Sequence, residues 1–417
     1  MTNTGRSPSL ISKGRAALFI LLIAFIVVVA LLLVRGRHPK FITSLAPSRS
    51  MSSANHPVGT QDADIPTPKS NTTETVEICG YGKVPADKSD TSAVFQDVGA
   101  LTKAAGTRWL SALQSSDTLR ARVAGLMLEG KVPGSDPPRP VTEQARNDVV
   151  QLAAGSDDPA VYAMALSMCD AKAGADSACR QLSLQRWAQL EPDNAVPWLQ
   201  LAGRARVDQD SAAEERAFSH AAQAHKVDSY GDSLFAFAEP ELPQDVTPLE
   251  RAYLATEVIG VEAAMGSPQY RVASQHCSAD AMQDNKLRQQ CNSLAELLVT
   301  KGTNLLDLSV GITIGARAGW PSGRVEALAQ EQHALMWVGM EQVPSDNDKL
   351  WTCDAVSRLN ARLVQNVQRG ELGAARDLLE KSGDSVEEVA QRYTQYMDNI
   401  THHALTLEQR NSPETAQ

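Results

Sequence analysis

Residues 193–226, DNAVPWLQLAGRARVDQDSAAEERAFSHAAQAHK, show a clear helical pattern. Apolar and small residues recur every three or four positions in 195–207 and again in 211–226, as they do on a helix face that packs on a neighbour. The stretch predicts two helices in succession, joined by a short polar turn.

The same helical pattern continues along most of the chain. In DTLRARVAGLMLEG, Leu119, Val123 and Leu126 share a face, with Asp117 as the expected N-cap. No segment shows the alternation of a good strand. Further helices are predicted at 141–154, 158–170, 176–190, 247–264, 283–301, 304–319, 323–339, 352–369, 371–381 and 385–408.

Composition favours the same fold class. Alanine accounts for 57 of the 417 residues and aromatic residues for 5%. Alanine is the best helix former, whereas strands prefer β-branched and aromatic side chains. The predicted fold class is therefore all-α, with closely packed helices.

One internal repeat is visible in the sequence. Residues 158–166, DPAVYAMAL, align with residues 193–201, DNAVPWLQL, with four identities in nine positions at an offset of 35 residues. A period of this length is typical of helical repeat proteins.

The second copy resembles a tetratricopeptide (TPR) repeat over about 40 residues. Glu214 departs from the pattern, which has Ala there, and Lys226 departs where it has Pro. Two other stretches, SSDTLRARVAGLML and SDDPAVYAMALSMC, resemble the openings of HEAT-type helices. Both resemblances imply stacked helical hairpins, while an irregular helical domain without repeats stays open. The residues that carry the TPR resemblance are Pro192, Asp193, Asn194, Trp198, Leu201, Ala202, Ala205, Phe218 and Ala221.

The amino-terminal region predicts a membrane anchor. Residues 16–34, AALFILLIAFIVVVALLLV, are apolar throughout, and as a helix they would measure roughly 28 Å, close to the hydrocarbon core of a bilayer. A cleaved signal peptide is the alternative, but the apolar run is long and no small-x-small site follows it. We expect a cytoplasmic segment at 1–15, a transmembrane helix from Ala16 to Val34 and an exported body.

Composition divides the chain after the apolar segment into a linker and two helical regions. Residues 35–75 are rich in Ser, Thr, Pro and Asn and predict a disordered linker, followed by a repeat-like region at 76–240 and a carboxyl-terminal helical region at 241–417. Residues 1–75 hold eight basic and three acidic residues, which leaves 31 basic and 46 acidic residues, a net charge of −15, in 76–417. Such an acidic body argues against nucleic acid as a partner.

The six cysteines predict three disulfides, because no CxxC pattern indicates a metal or redox site and the set is even. Cys169 and Cys179 lie symmetrically about Gly174 in a predicted helical turn, and Cys277 and Cys291 lie similarly about Asp284. Cys79 and Cys353 then remain to join the start of the body to its carboxyl-terminal third. Buried free thiols are the alternative.

Gly311, Gly315 and Gly319 repeat every four residues in SVGITIGARAGWP. On a helix they share a face and allow a second backbone to approach closely. We expect tight packing within the body, and the alternative is a face for self-association or for a partner.

Motifs that carry chemistry are missing from the sequence. Residues 125–132, GLMLEGKV, resemble a phosphate-binding loop but end in Val132 and run into Pro133, and neither HExxH nor GxSxG is present. The eight histidines form no metal-ligand spacing. We therefore assign no catalytic, cofactor or metal residues.

These features predict a single-pass, membrane-anchored scaffold for protein partners in the cell envelope, with the anchor in a bacterial inner membrane and the body in the periplasm. Exposed polar residues of the repeat-like helix, Gln200 and Arg204, are the candidate partner contacts. Two alternatives are an envelope hydrolase whose carboxylates and histidines converge only in the fold, and an assembly protein that self-associates through the glycine face.

Overall fold

The computed structural model describes residues 75–85, 91–129, 141–169, 178–231, 233–265, 270–341 and 351–411. All of them belong to one compact unit, Glu74–Gln417. Within these ranges the chain forms fifteen α-helices and one β-hairpin. The strands are β1 (Thr75–Ile78) and β2 (Gly82–Pro85), and the helices are α1 (Thr91–Ser115), α2 (Leu119–Leu128), α3 (Glu143–Ala154), α4 (Pro159–Met168), α5 (Leu184–Leu190), α6 (Ala195–Val207), α7 (Ser211–Gln223), α8 (Leu234–Ala238), α9 (Pro248–Ala264), α10 (Tyr270–His276), α11 (Asn285–Lys301), α12 (Leu305–Ala318), α13 (Ser322–Glu341), α14 (Cys353–Ser382) and α15 (Val386–Asn411).

The hairpin corrects the all-α prediction. β1 and β2 pair antiparallel with Val76 opposite Val84, and Gly80 and Gly82 adopt positive φ angles of 81° and 80° that the tight turn requires. Val76 and Ile78 are buried, while Thr75 and Glu77 face solvent. Four residues give too little alternation for a sequence-based assignment, and the hairpin begins at Thr75, inside the predicted linker.

Most helices pack against the next one along the chain, and capping residues set where they begin. Thr142 and Asp158 accept hydrogen bonds from the backbone N–H groups of Ala145 and Ala160, both at 3.0 Å. The predicted cap Asp117 is wrong by one residue, because the Thr118 hydroxyl accepts from Ala121 N–H. Gly370, with φ of 70°, kinks α14 at the break that the sequence predicts.

The membrane part of the predicted fold class is also corrected. Across the ranges that the structure describes, no helix combines the length and the apolar character needed to cross a bilayer. The long helices α14 and α15 carry charged residues throughout, and the more apolar α12 has only 14 residues. Residues 16–34, the predicted span, and residues 35–74 of the predicted linker lie outside the described residues.

Contacts run across the predicted boundary at residue 240. Helix α9 packs against α1 and α14, and α11 packs against α7. The main core includes residues from α1 through α14, with a second core beneath α11 to α15 and a small third core, which holds Ile78, Val98 and Trp351, under the hairpin. The two predicted regions therefore share a core.

Three disulfides join the six cysteines in the pairs that the sequence predicts. Their Cα–Cα distances are 4.5 Å for Cys79–Cys353, 5.6 Å for Cys169–Cys179 and 5.7 Å for Cys277–Cys291. The first link is supported by a hydrogen bond from Cys79 N–H to the Trp351 carbonyl at 2.8 Å. It closes a loop of 274 residues, whereas the other two span 10 and 14.

Loss of the long link is expected to destabilise the chain most. Chain-entropy arguments give about 5 kcal/mol for Cys79→Ala/Cys353→Ala and about 3 kcal/mol for the matched pair Cys169→Ala/Cys179→Ala, because the entropy removed from the unfolded chain grows with loop length. Urea unfolding of the two double variants measures the difference. An equal or larger loss for the short link would contradict this ranking.

Gly311 lies where α12 meets α11 most closely. A Cβ at this position would lie 2.8 Å from Val299 Cγ2 and 3.1 Å from the Ala295 carbonyl oxygen. Gly315 packs against the Trp320 ring, and Gly319 ends the helix with φ of 94°. Gly311 and Gly315 are therefore buried by contacts within the chain, in line with the expected tight packing.

Substitution of Gly311 tests this contact. Gly311→Ala is expected to lower the free energy of unfolding by about 1–3 kcal/mol because the added methyl overpacks the α11–α12 contact. The control is Gly260→Ala in α9, where an added Cβ would meet nothing within 4 Å, and we expect it to raise stability by about 0.5–1 kcal/mol. Thermal denaturation checks both signs, and a neutral Gly311→Ala would show that the contact is loose.

Candidate functional site

A groove of about 520 Å³ lies between α1, α2 and α3. We call it the α1–α3 groove. Gln114 and Gln151 are exposed on its walls, and the other lining residues are half-buried. The groove is lined by Gln114, Arg122, Leu126, Asp148, Gln151 and Leu152.

Helix geometry explains why these side chains converge. Arg122 and Leu126 are four residues apart on α2, and Asp148 and Leu152 are four apart on α3, so each pair lies on one face of its helix. Gly125 brings α2 close to α1, because a Cβ there would lie 3.0 Å from Leu113 Cβ. A larger residue at position 125 would push the groove walls apart.

Arg122 lacks a partner inside the groove. Its Nε is buried without a hydrogen-bond acceptor, and no described carboxylate forms an ion pair with its guanidinium. Asp148 accepts one hydrogen bond, from Gln144 Nε2 at 2.8 Å, and pairs with no cation in the described chain. The groove thus presents a positive and a negative group that are not paired with each other.

Arg120, two residues away on the same helix, is paired with a carboxylate, unlike Arg122. Its Nε and Nη2 donate to Asp158 Oδ2 and Oδ1 at 2.7 and 3.2 Å, and its guanidinium lies 5.1 Å from the Phe237 ring centroid. Burial disfavours the Asp158 carboxylate, but the hydrogen bonds from Arg120 outweigh it and hold the pKa of Asp158 below its ordinary value. Arg120 therefore ties α2 to α4, a role that Arg122 does not share.

Stability measurements separate the two arginines. Arg122→Met keeps the apolar stem and removes an unsatisfied buried N–H, so the free energy of unfolding is expected to stay level or rise by up to about 1 kcal/mol. Arg120→Met breaks a two-bond ion pair and is expected to lose roughly 0.5–1 kcal/mol. A clear loss of stability in urea unfolding of Arg122→Met would assign Arg122 a structural role.

A second polar cluster joins the α6–α7 hairpin to α10. Arg206 Nε donates to Glu214 Oε1 at 3.0 Å, and His276 Nδ1 lies 3.0 Å from the same oxygen. The His276 ring stacks on Phe218 with centroids 3.9 Å apart. Glu214, one of the two departures from the repeat pattern, thus carries the contact that fixes the hairpin to its neighbour.

The Glu214 cluster predicts a pH dependence. Burial raises the pKa of this carboxyl, but the hydrogen bonds to Arg206 and His276 outweigh burial, so the pKa lies below its ordinary value of 4.5. The stabilisation is present above that ordinary value and is lost as the pH falls through the folded-state value.

Comparison of wild type with Glu214→Gln in urea unfolding between pH 3 and 7 measures this contribution. The variant is expected to be less stable at pH 7, by about 1–3 kcal/mol, and to lose less stability on acidification. Glu215→Gln is the control, because its ion pair with Lys286 is exposed and should contribute much less. An equal loss of unfolding free energy on acidification in wild type and Glu214→Gln would contradict this role of Glu214.

The other departure, Lys226, anchors a third cluster. Its Nζ donates to Glu191 Oε1 at 2.5 Å and to the Tyr230 hydroxyl at 2.8 Å, and Tyr230 donates to the same Glu191 oxygen at 2.6 Å. Burial lowers the pKa of Lys226, but these hydrogen bonds outweigh it and raise the pKa above its ordinary value. Lys226 is therefore held as a cation, and the cluster joins the end of α5 to the segment that follows α7.

The carboxylates of the Glu214 and Lys226 clusters are bound by neighbouring side chains. The pKa of Tyr230 is raised, chiefly by burial, so its hydroxyl stays protonated at neutral pH. Among the described residues, no group of three His, Cys, Asp or Glu could hold a metal ion. The clusters are ion pairs and hydrogen bonds that join helices.

The five contact residues predicted from sequence lie outside the α1–α3 groove. Gln200 is half-buried on α6, and Arg204 is exposed on the same helix, with its Nε 2.9 Å from Asp208 Oδ2. The three glycines, Gly311, Gly315 and Gly319, lie on or at the end of α12. Sequence inspection missed Arg122 and Asp148, because a charged residue on a half-polar helix looks the same whether or not a groove faces it.

Comparisons with protein-family models, curated proteins and solved structures find no match for this chain. The interpretation of the α1–α3 groove therefore depends on its geometry and charge.

Proposed function

We propose that this chain is an extracytoplasmic helical scaffold that holds a protein partner in the α1–α3 groove. The observation that carries the proposal is the groove itself, where Arg122 and Asp148, which form no ion pair with the described residues, flank the apolar Leu126 and Leu152. Interfaces of this kind combine an apolar centre with a few polar groups that fix the orientation of the partner.

Two further features support the proposal. The three disulfides favour an oxidising compartment such as the bacterial periplasm, where such links persist. The resemblance of 192–226 to a TPR repeat favours binding, since helical repeat proteins act through the surfaces that neighbouring helices build together.

Site-specific photocrosslinking in cells that naturally produce the full chain tests this function. A benzophenone side chain at Gln151, on the groove wall, is expected to give a discrete adduct with a partner protein. Matched probes at Gln223 on α7 and at Arg204 on α6, both exposed outside the groove, are expected to give none. Adducts only at Arg204 would move the interaction to α6, and equal labelling at all three sites would overturn a groove-specific function.

A further inference from the structure

The charged side chains that line the α1–α3 groove indicate which chemical groups it can bind. Arg122 lines the groove as a half-buried cation, and neither a described carboxylate nor, for its buried Nε, any described acceptor neutralises or satisfies it. The neighbouring Arg120 donates two hydrogen bonds to Asp158, at 2.7 and 3.2 Å. Arg122, on the same helix, has no carboxylate partner among the described residues.

We propose that the α1–α3 groove binds a peptide segment of the partner through a carboxylate, which pairs with the guanidinium of Arg122. This inference rests on the proposed function and names the chemistry of its occupant. Arginine is suited to the role because its planar fork can hold both oxygens of a carboxylate.

Asp148 restricts which acidic segments fit. Its carboxylate faces the same groove and would repel a second acidic side chain, and the body carries a net charge of −15 from 31 basic and 46 acidic residues. A run of acidic residues is therefore disfavoured. The occupant is a segment with one carboxylate for Arg122, together with a basic or amide group near Asp148.

The remaining lining residues offer apolar and amide contacts to the occupant. Leu126 and Leu152 offer apolar surface, and the exposed amides of Gln114 and Gln151 can donate to and accept from a peptide backbone. An apolar side chain next to the acidic one would bury against the two leucines. The groove thus selects a short amphipathic motif over a uniformly charged one.

The test is selection of a phage-displayed library of random 12-residue peptides on the immobilised full-length protein. Enriched peptides are expected to share an Asp or Glu. Fluorescence polarisation then compares each peptide with its amide counterpart, in which that Glu is replaced by Gln or Asp by Asn, on wild type, Arg122→Gln and Arg204→Gln. Loss of the charged hydrogen bonds is expected to weaken binding about 10- to 100-fold on wild type and on Arg204→Gln. On Arg122→Gln the two peptides should bind within about two-fold of each other, the coupling that a direct contact produces.

The outcomes distinguish this inference from the proposed function. If the selected peptides crosslink to a benzophenone placed at position 151 but bind Arg122→Gln as tightly as wild type, the carboxylate contact is overturned and groove binding stands. A selection that yields no peptide able to crosslink to the benzophenone at position 151 would count against both the carboxylate contact and the proposed function. Arg122→Gln must retain the wild-type thermal midpoint and all three disulfides, and a variant that does not is replaced by Arg122→Met for the same comparison.

Discussion

The disulfide between Cys79 and Cys353 is the constraint on which the arrangement of the body depends. It joins residues 274 positions apart and brings the β-hairpin against the start of α14, where Cys79 N–H donates to the Trp351 carbonyl. A two-stranded hairpin is marginally stable on its own, and beneath this one lies a small core formed by Ile78, Val98, Leu249, Ala252, Trp351 and Val356. Because α9 packs against both α1 and α14, the link also braces the helix that forms one wall of the groove.

Small residues set the distances between helices elsewhere. Gly125 brings α2 against α1, Gly311 brings α12 against α11, and buried alanines such as Ala202 and Ala221 do the same between α6 and α7. Polar contacts then fix which hairpin meets which neighbour, through Glu214 and Lys226. The charged groups of these two clusters are paired, whereas Arg122 and Asp148, which face the groove, form no ion pair with the described residues. That difference in pairing separates the groove from the polar clusters of the fold.

Much of this architecture follows from sequence because it is local. The helix pattern of 195–207 is sufficient to place α6, whose structural bounds are Ala195–Val207. The cysteine spacing indicates the two local pairs and leaves Cys79 and Cys353 as the third. The hairpin was missed because four residues per strand give almost no alternation, and α8 was missed because LFAFA is too short to show a helical period. The groove could not be predicted, since it depends on how α1, α2 and α3 face one another. The sequence alignment of the two repeat copies pairs Asp158 with Asp193. In the structure the helix N-caps are Asp158 and Asn194, so the second helix begins one residue later than the alignment indicates.

A body closed by three disulfides in an oxidising compartment has no free thiol, and trapping of thiols in intact cells tests this most directly. Cells that naturally produce the full chain are quenched in acid and treated with a polyethylene-glycol maleimide, before and after reduction of the denatured protein. The expected result is no change in electrophoretic mobility before reduction and six additions after it, matching the six cysteines. Additions before reduction would contradict the paired cysteines, and with them the extracytoplasmic scaffold that the pairing supports.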